Sequence, residues 1–501
     1  MSLELSDEQL RAGGDGHERG MDRAARRASA VFYTPPHLVA LAVNATIRTP
    51  ARVLDPACGA GVFLVEALRA MGGRTARERA SLAARLVGLD VDPTAVALAQ
   101  LALAVAILDG DPDRSIDLRA AVAGIRVGDT LVEDLPTFDV VLGNPPWGQK
   151  RFAFTDERKR ALRARYAAAA GRTDIAACFV ERALELLEPG GRFAFVLPDV
   201  VLLKQHEPLR VLLLERATID HLAHAGRAFR GVGLDSAFLA GRRGAAPPDH
   251  RVTIWRSTPR DWAARAPDAH TVPQRLFAQL PGHRFNLALD EDSAAALAAL
   301  ADLPKLADDF EIHEGVHSGN RRAALFRAER PAHGAKLIVG GDELRAFRLR
   351  WDGAWIDLSP RAIDRAAGGY ANLGRPAWFA AHKLIVRRTG DRIVAARDPD
   401  GLYVSNNAFV LVPRSDDVDL FAWLAYLNGT FATSWFRAQV PRVGRAFSEI
   451  KIQDLSQLPR PRTWPPALRE LARASEADPS RAPVDQIDRA LADLALLPRS
   501  P

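Results

Sequence analysis

The sequence has few cysteines, few lysines and no long apolar run, and these absences exclude several classes of protein. Its 501 residues include only two cysteines, Cys58 and Cys178, too few for a disulfide framework or a four-cysteine zinc site. No apolar run reaches the roughly 18 residues of a membrane span. Residues 1–27 are charged and glycine-rich and lack the apolar stretch of a secretory signal. We therefore expect a cytoplasmic protein without a membrane segment.

Length and charge narrow the class further. A chain of 501 residues exceeds one ordinary core and predicts two or three domains. Hydrophobic residues make up 48% and charged residues 26%, as in folded proteins. The net charge is +6, and only seven of the 67 basic residues are lysines. This charge is compatible with a polyanionic partner but does not identify one.

Short apolar runs alternate with helical patterns from residue 31 to about 256. Apolar runs at 51–54, 86–89, 138–142 and 192–197 are separated by helical patterns that include 61–70, 93–108 and 175–187. This alternation predicts a mainly parallel sheet covered by helices. Two further runs, 237–241 and 251–255, flank a proline-containing turn and are interpreted as a closing hairpin at the sheet edge.

The rest of the chain differs from residues 31–256 in composition and periodicity. Residues 257–290 contain four prolines and one tryptophan, lack a clear periodicity and are interpreted as a linker. Between 301 and 465 there are 24 Lys or Arg and 19 Asp or Glu residues, so five of the six net charges lie there. Two short helices are predicted at 467–475 and 484–497.

A small-residue loop follows the first predicted strand. The strand ends in Asp55, and the loop contains Gly59 and Gly61 before a helix begins. Glycines let a ligand approach the backbone, and the N–H groups at a helix start can bind it. The third glycine of the dinucleotide fingerprint is absent, so the loop alone favours an ordinary strand–helix turn over a ligand site.

Two more acids follow predicted strands. The carboxylate of Asp90 can accept hydrogen bonds from both hydroxyls of a ribose, or it can cap the N-terminus of the next helix. Asp129 follows a third strand and is placed to contact an adenine amino group. Three strand-end acids after a small-residue loop favour an adenosine-containing ligand over a chance arrangement.

The most specific motif is Asn-Pro-Pro-Trp at 144–147. Two prolines restrict the loop and hold an amide and a carbonyl beside an aromatic face. The amide oxygen of Asn144 and the carbonyl of Pro145 can accept two amino hydrogens while Trp147 stacks on the ring. The loop therefore predicts a site for a planar amine.

In this order, the motifs resemble the γ-class amino-methyltransferases that act on adenine N6 in DNA, the TaqI-like group of restriction–modification enzymes. The resemblance covers residues 31–256 and begins with Phe-Tyr-Thr-Pro-Pro at 32–36, which in that family closes over the methionine part of S-adenosylmethionine. Asp174 and residues 188–191 and 196–198 resemble later family segments. Looser matches to the family's target-recognition region lie at 318–320, 383–385, 405–407, 427–429 and 452–461.

The resemblance implies an α/β, Rossmann-like S-adenosylmethionine-dependent methyltransferase domain, followed by a mixed α+β target-recognition domain. The implied divisions are a flexible lead-in at 1–28, the catalytic domain at 29–258, a linker and recognition domain at 259–465, and a helical tail at 466–501. The implied catalytic residues are Asn144, Pro145, Pro146 and Trp147. The implied cofactor-binding residues are Tyr33, Thr34, Pro35, Asp55, Ala57, Gly59, Gly61, Asp90, Val91, Asp129, Thr130, Asn144 and Pro146. No metal is expected.

The chemistry follows from the weakness of the nucleophile. The lone pair of an adenine amino nitrogen is delocalised into the ring. Hydrogen bonds from N6 to Asn144 and Pro145 favour a more tetrahedral nitrogen, which attacks the sulfonium methyl group directly. The base must leave the duplex to be presented in this way. Positioning carries most of the rate, and both cysteines are expected in the core.

Two pairs of histidines have the spacing of metal ligands, but neither pair is expected to bind a metal. His313 and His317 match the His-Glu-x-x-His pattern of zinc proteases, which needs a helix, but Gly315 and Val316 lie inside the pattern and residues 318–320 end it at once. The family resemblance implies instead that this segment is a strand entering the recognition domain. His221 and His224 are spaced like ligands but lack cysteine or acid support, so we expect them at the surface.

Three functional hypotheses remain open. The first is a site-specific adenine-N6 DNA methyltransferase acting on double-stranded DNA in a restriction–modification or phage-defence system, with any cognate restriction endonuclease a separate protein. The second is a methyltransferase for RNA or protein glutamine, which also uses Asn-Pro-Pro-aromatic; the 32–36 segment and the large recognition unit count against it. The third is a DNA-binding subunit of a defence complex in which catalysis is secondary.

Overall fold

The computed structural model describes residues 34–109, 113, 115–147, 155–170, 174–200, 202, 206–226, 228–229, 235–255, 268–287, 289–390, 392–439, 448–479 and 483–492. The predicted lead-in at 1–28 lies outside these residues. The chain forms two compact units that divide between Glu291 and Asp292.

The first unit is built on a nine-stranded sheet with the order β3-β2-β1-β4-β5-β7-β6-β8-β9. The strands are β1 Val53–Asp55, β2 Leu86–Asp90, β3 Ile125–Val127, β4 Phe138–Gly143, β5 Leu187–Pro198, β6 Ala217–Gly226, β7 Ser236–Arg243, β8 Arg251–Trp255 and β9 Ala269–Pro273. Strands β1 to β5 pair in parallel, and β7 is antiparallel to both β5 and β6. The predicted mixed, mainly parallel sheet is confirmed.

Helices cover the sheet. They are α1 Pro36–Thr46, α2 Val62–Met71, α3 Ala76–Ala83, α4 Pro93–Leu108, α5 Leu118–Ala121, α6 Asp156–Arg165, α7 Ile175–Leu186, α8 Glu207–Arg216 and α9 Arg275–Gln279. The start of α4 follows from its sequence, because Asp92 accepts a hydrogen bond from the Thr94 amide and Pro93 occupies the first turn. A capping box of Thr75 and Glu78 starts α3 in the same way.

The strands at the centre of the sheet are buried on both faces, which explains why they read as unbroken apolar runs. Val53, Leu54 and Val141 are fully buried, as are Phe193 and Phe195 on β5. The four apolar runs first identified in the sequence correspond to β1, β2, β4 and β5.

The predicted closing hairpin of 237–241 and 251–255 is wrong. The two runs form β7 and β8, but β6 lies between them and pairs with both. Strand β6 was not predicted because polar residues such as Asp220 and His221 interrupt its apolar pattern. In addition, β9 pairs with β8 at the sheet edge, so the region interpreted as a linker contains a strand of this sheet.

The second unit contains two four-stranded sheets and two short two-stranded ladders. Its strands are β10 Phe310–Glu314, β11 Phe326–Arg327, β12 Gly334–Ile338, β13 Leu344–Arg345, β14 Arg348–Leu349, β15 Trp355–Asp357, β16 Lys383–Arg387, β17 Thr389–Gly390, β18 Ala395–Asp398, β19 Tyr403–Val404, β20 Ala408–Pro413 and β21 Ser448–Glu449. The larger sheets have the orders β10-β20-β16-β18 and β11-β15-β12-β19. A shared core of residues such as Ile356, Ile385 and Val410 joins them.

The helices of the second unit are mostly short. They are α10 Glu291–Ala299, α11 Leu306–Asp309, α12 Arg322–Leu325, α13 Pro360–Ile363, α14 Leu420–Asn428, α15 Thr430–Gln439, α16 Ile452–Ser456, α17 Pro466–Ala477 and α18 Val484–Ala490. Helix α17 contains the predicted tail helix 467–475, and α18 forms the first part of the predicted helix 484–497, of which residues 493–497 lie outside the described ranges. Across the described ranges, no helix combines the length and apolar character needed to span a membrane.

Candidate active site

The candidate site lies where three neighbouring parallel strands end. Strand β1 lies between β2 and β4, so Asp55, Asp90 and the loop after Gly143 reach the same edge of the sheet. This is the edge at which open α/β sheets bind their ligands. Three of the predicted motifs therefore meet in one place.

Asp55 is buried and only partly satisfied. It is 1% exposed; its Oδ1 accepts a hydrogen bond from the Ala57 amide at 3.2 Å, whereas Oδ2 has no partner among the described residues. Burial raises the pKa of Asp55 from 3.8 to about 8. The hydrogen bond from Ala57 opposes this rise, and the nearby charge of Asp90 adds to it. A buried carboxyl with a spare oxygen is suited to a cation.

Asp90 holds the glycine loop in place. Its Oδ2 accepts from the Gly59 amide at 2.9 Å, and its Oδ1 accepts from the Asp92 amide at 3.0 Å. Burial raises the pKa of Asp90. The helix cap at this position is Asp92, so the alternative reading of Asp90 as the cap is wrong.

Glycine is required at one position in the loop by geometry. Gly61 has a φ of +82°, in the left-handed region, and a Cβ there would lie 2.9 Å from the Cβ of Ala99. A side chain would therefore push α2 away from α4.

Asp129 and Thr130 are held from several directions. Thr130 donates its hydroxyl to the Pro56 carbonyl at 2.8 Å, and the buried Arg182 donates to the Thr130 carbonyl at 3.1 Å. Asp129 accepts from the Leu131 amide and, at 2.6 Å, from the Arg158 guanidinium. Arg182 is not among the predicted site residues, although a basic residue inside the apolar pattern of α7 was a usable signal.

Asn144 is oriented by a residue from a distant motif. Its Nδ2 donates to Thr34 Oγ1 at 3.1 Å, which leaves Oδ1 as the free acceptor of the amide. Oδ1 is buried and has no hydrogen-bond partner within the described part of the chain. Thr34 itself is 4% exposed and lies just before α1.

The aromatic residue of the motif faces a second aromatic ring. Trp147 is 8% exposed, and its ring meets Phe229 edge to face, with centroids 4.8 Å apart and planes at 87°. Phe229 lies in the connection between β6 and β7, far from any motif. No local sequence pattern identified it.

The other predicted residues differ in their exposure. Pro145 is buried, and Pro35, Ala57 and Pro146 are half-buried. Val91 is 59% exposed at the end of β2, which leaves its side chain open to a ligand. Tyr33 lies outside the described residues.

Both cysteines are buried and free, as predicted. Burial raises the pKa of Cys58 well above its ordinary value, and it raises that of Cys178 to about 12. Thiols with raised pKa values are weak nucleophiles at neutral pH. Neither sulfur is thus prepared for covalent catalysis.

The prediction that His221 and His224 lie at the surface is wrong. Both are on β6; His224 is 6% exposed, and His221 is half-buried against Trp255. His224 lies with the buried Asp199 and Asp235, with ligand-type atoms within 4.8 Å of one another. The acidic residues that are not near His224 in the sequence, Asp199 and Asp235, come from the ends of β5 and β7.

The His-Glu-x-x-His pattern does not form a helix. His313 lies on β10 and stacks on Trp378 with centroids 3.9 Å apart, whereas His317 lies past the end of the strand. The predicted strand is confirmed, and the helical face that the protease motif requires is absent from this described segment.

Two parts of the chain match known protein families. Residues 14–244 match the family "N-6 DNA Methylase", and residues 336–459 match the "TaqI-like C-terminal specificity domain". The type II methyltransferase M.TthHB8I of Thermus thermophilus is 24% identical over 80% of this chain and 85% of its own length. M.VspI of a Vibrio species is 24% identical over 62% of this chain and 69% of its own length.

A solved structure shows the same fold. The ATP-dependent Type ISP restriction–modification enzyme LlaBIII bound to DNA superposes with a TM-score of 0.57 and 10% identity, over 91% of this chain and 40% of that longer one. The fold and the two family matches therefore indicate an α/β methyltransferase. Residues 14–244 match the N-6 DNA methylases and residues 336–459 match the TaqI-like specificity domain, which together indicate an N6-adenine DNA methyltransferase of restriction–modification systems.

Proposed function

We propose that this chain transfers the methyl group of S-adenosylmethionine to N6 of one adenine within a specific double-stranded DNA sequence. Asn144 Oδ1 and the Pro145 carbonyl accept the two amino hydrogens. The observation that carries the proposal is the buried, unpartnered Oδ1 of Asn144, oriented by Thr34. An acceptor kept without a partner costs free energy unless a ligand satisfies it.

The residues at the strand ends fit the cofactor. The spare Oδ2 of Asp55 accepts from the cationic methionine end. Asp90 and Asp129 bind the ribose hydroxyls and the adenine amino group, because each carboxylate oxygen has lone pairs beyond those its present partners use. S-adenosylmethionine supplies an electrophilic methyl group on a sulfonium, and the chain's task is to place the nucleophile in line with it.

The aromatic residues hold the flipped base. The indole of Trp147 supplies a stacking face, and Phe229 braces that indole from its edge. Stacking of this kind stabilises an extrahelical base by about 1–3 kcal/mol. DNA as substrate, rather than RNA or a protein glutamine, is supported by the TaqI-like specificity domain.

The test is methyl transfer by the purified chain from labelled S-adenosylmethionine to DNA, compared with Asn144→Ala. Turnover should fall by a factor of about one hundred or more, the scale of a misplaced reacting group, while cofactor affinity changes little. Asn144→Asp, which keeps the side-chain volume, separates lost chemistry from lost packing. A stable, cofactor-binding Asn144→Ala with normal turnover would reject the mechanism, and a wild-type chain without transfer would favour the DNA-binding subunit.

A further inference from the structure

One face of the second unit carries a row of basic and aromatic residues. Across strands β11, β15 and β12, Arg327 lies opposite Trp355, which lies opposite Lys336. Directly opposed residues of antiparallel strands project from the same face of a sheet. The adjacent row contains the fully buried Ile356, which belongs to the core. The row of Arg327, Trp355 and Lys336 is therefore on the outer face.

Two tryptophans hold cations on this face. The Arg330 guanidinium lies 5.2 Å from the ring centre of Trp355, and the Lys336 ammonium lies 5.0 Å from that of Trp351. The two indoles meet edge to face, with centroids 4.9 Å apart. Stacking restricts the long basic side chains yet leaves N–H groups of the guanidinium and ammonium free to donate.

The cations of this face lack acidic partners. Within the described ranges, Arg327, Arg330 and Lys336 form no ion pair. Arg345 of the same unit, by contrast, is exposed and lies 2.7 Å from Asp342. The exposed Glu329, between the two arginines in sequence, likewise forms no ion pair among the described residues. The face therefore has a net positive charge that is not neutralised internally.

An open cleft of about 740 Å³ adjoins the row. Its lining includes Arg322, whose guanidinium lies 4.8 Å from the ring centre of Phe326, and Arg327. The acid in the lining, Asp352, is already paired with Arg350 at 3.2 Å. The cleft thus brings a further cation, Arg322, close to Arg327.

We propose that this face, defined by Arg327, Arg330, Lys336, Trp351 and Trp355, binds the sugar–phosphate backbone of the DNA substrate. Unpaired cations complement phosphates, and cations already held against rings lose less freedom on binding. Backbone contacts position a duplex without reading its sequence. The inference rests on the proposed function, since it names the surface through which the recognition domain holds that substrate.

The test measures DNA affinity of the purified chain against salt concentration. One probe is a duplex carrying the sequence that modified-base sequencing shows to be methylated in cells expressing the chain, and the other is a scrambled duplex. Arg327→Gln combined with Lys336→Gln should reduce the slope of log affinity against log salt by about two, since each phosphate contact contributes about 0.9. Both duplexes should weaken by the same factor, as expected for phosphate contacts. Arg345→Gln, which removes an exposed but paired arginine, is the matched control and should keep the wild-type slope.

A positioning role for the rings is tested separately. Trp355→Leu should weaken binding to both duplexes, and Trp355→Phe, which keeps a ring beneath Arg330, should restore most of it. Equal melting temperatures show that the variants are folded. An unchanged slope in the double variant would reject DNA as the occupant of this face and favour an acidic protein surface. Loss confined to the duplex with the methylated sequence would reject the backbone role.

These outcomes are separable from the proposed function. If the wild-type chain neither binds nor methylates DNA, the proposed function fails. If it does both and the double variant binds with the same salt dependence, the function stands and only this surface is rejected.

Discussion

Asn144 donates a 3.1 Å hydrogen bond from Nδ2 to Thr34 Oγ1 and so joins two motifs that lie 110 residues apart. The bond decides which atom of the amide faces the site. A donor engaged by Thr34 leaves Oδ1 pointing away as an acceptor, which is the polarity needed to receive a hydrogen from an amino group. Thr34 therefore orients the amide of Asn144, the residue proposed to receive the amino group.

Removing the Thr34 hydroxyl should release this orientation. Thr34→Val keeps the side-chain shape but lacks the acceptor for Nδ2, so turnover at saturating DNA and cofactor should fall by about tenfold to one hundredfold. Thr34→Ser keeps the hydroxyl and should retain most of the activity. Steady-state methylation kinetics check this, and equal turnover by Thr34→Val and the wild-type chain would show that Asn144 is oriented otherwise.

Cofactor binding should depend on pH through Asp55. With a pKa of about 8 in the free protein, Asp55 is mostly protonated at neutral pH and must ionise to bind a cation. Binding therefore releases a proton below pH 8, and affinity should rise with pH by up to about tenfold per unit until pH 8. Calorimetry in two buffers of different ionisation enthalpy measures the proton release.

Asp55→Asn is the control for this prediction. It removes the titrating group, so its affinity should be weaker and flat between pH 6 and pH 8. The same raised pKa lowers the stability of the free protein as pH rises from about 4 to 8, because the unfolded chain gives up this proton first. Wild-type affinity that is equal at both pH values, without proton release, would contradict the role of Asp55.

Gly143 should tolerate no side chain. A Cβ at this position would lie 2.7 Å from Asp55 Oδ1 and 3.3 Å from its Cγ. Gly143→Ala should therefore displace Asp55, weaken cofactor binding and cost about 1–3 kcal/mol of stability, as overpacking does. Combining it with Asp55→Ala should recover stability in a double-mutant cycle. Additive losses would mean that the two residues do not share this space.

Trp147 should act on the base more than on the cofactor. Trp147→Ala removes a stacking surface of about 1–3 kcal/mol, so a fluorescent adenine analogue at the target should lose part of its emission change. Trp147→Phe keeps an aromatic face and should retain much of the signal and activity. If residual activity instead follows the melting temperatures of all variants, the loop only braces the sheet.

Methylation should need no metal. Dialysis against a chelator should leave turnover unchanged, since the sulfonium is already activated and no step requires a Lewis acid. Elemental analysis of the purified chain is the direct check. A stoichiometric metal that disappears in His224→Ala would place an ion among Asp199, His224 and Asp235 and overturn this expectation; loss in His313→Ala would point to the other histidine pattern.

The sequence predicted the strands whose apolar residues form an unbroken run and whose ends carry polar residues. Strands β1, β2 and β4 are buried on both faces and end in acids or asparagine, so their position and their chemistry appear together in the sequence. Strand β6 was missed because Asp220, His221 and His224 break its apolar pattern, although it pairs with β7 on one side and β8 on the other.

The unpredicted parts of the site depend on contacts between distant residues. Phe229 reaches Trp147 only because β5, β6 and β7 are adjacent in the sheet, and nothing in its neighbouring sequence marks it. The acids near His224 come from two other strand ends for the same reason. Spacing along the chain predicts ligands on one element and cannot detect sets assembled from three.

The most direct test of the central claim is sequencing, with modified-base detection, of DNA from cells that express this chain or its Asn144→Ala variant. N6-methyladenine should appear at one recurring sequence context with the wild-type chain and be absent there with the variant. Methylation of cytosine, of RNA alone, or of the same adenines by Asn144→Ala would contradict this claim.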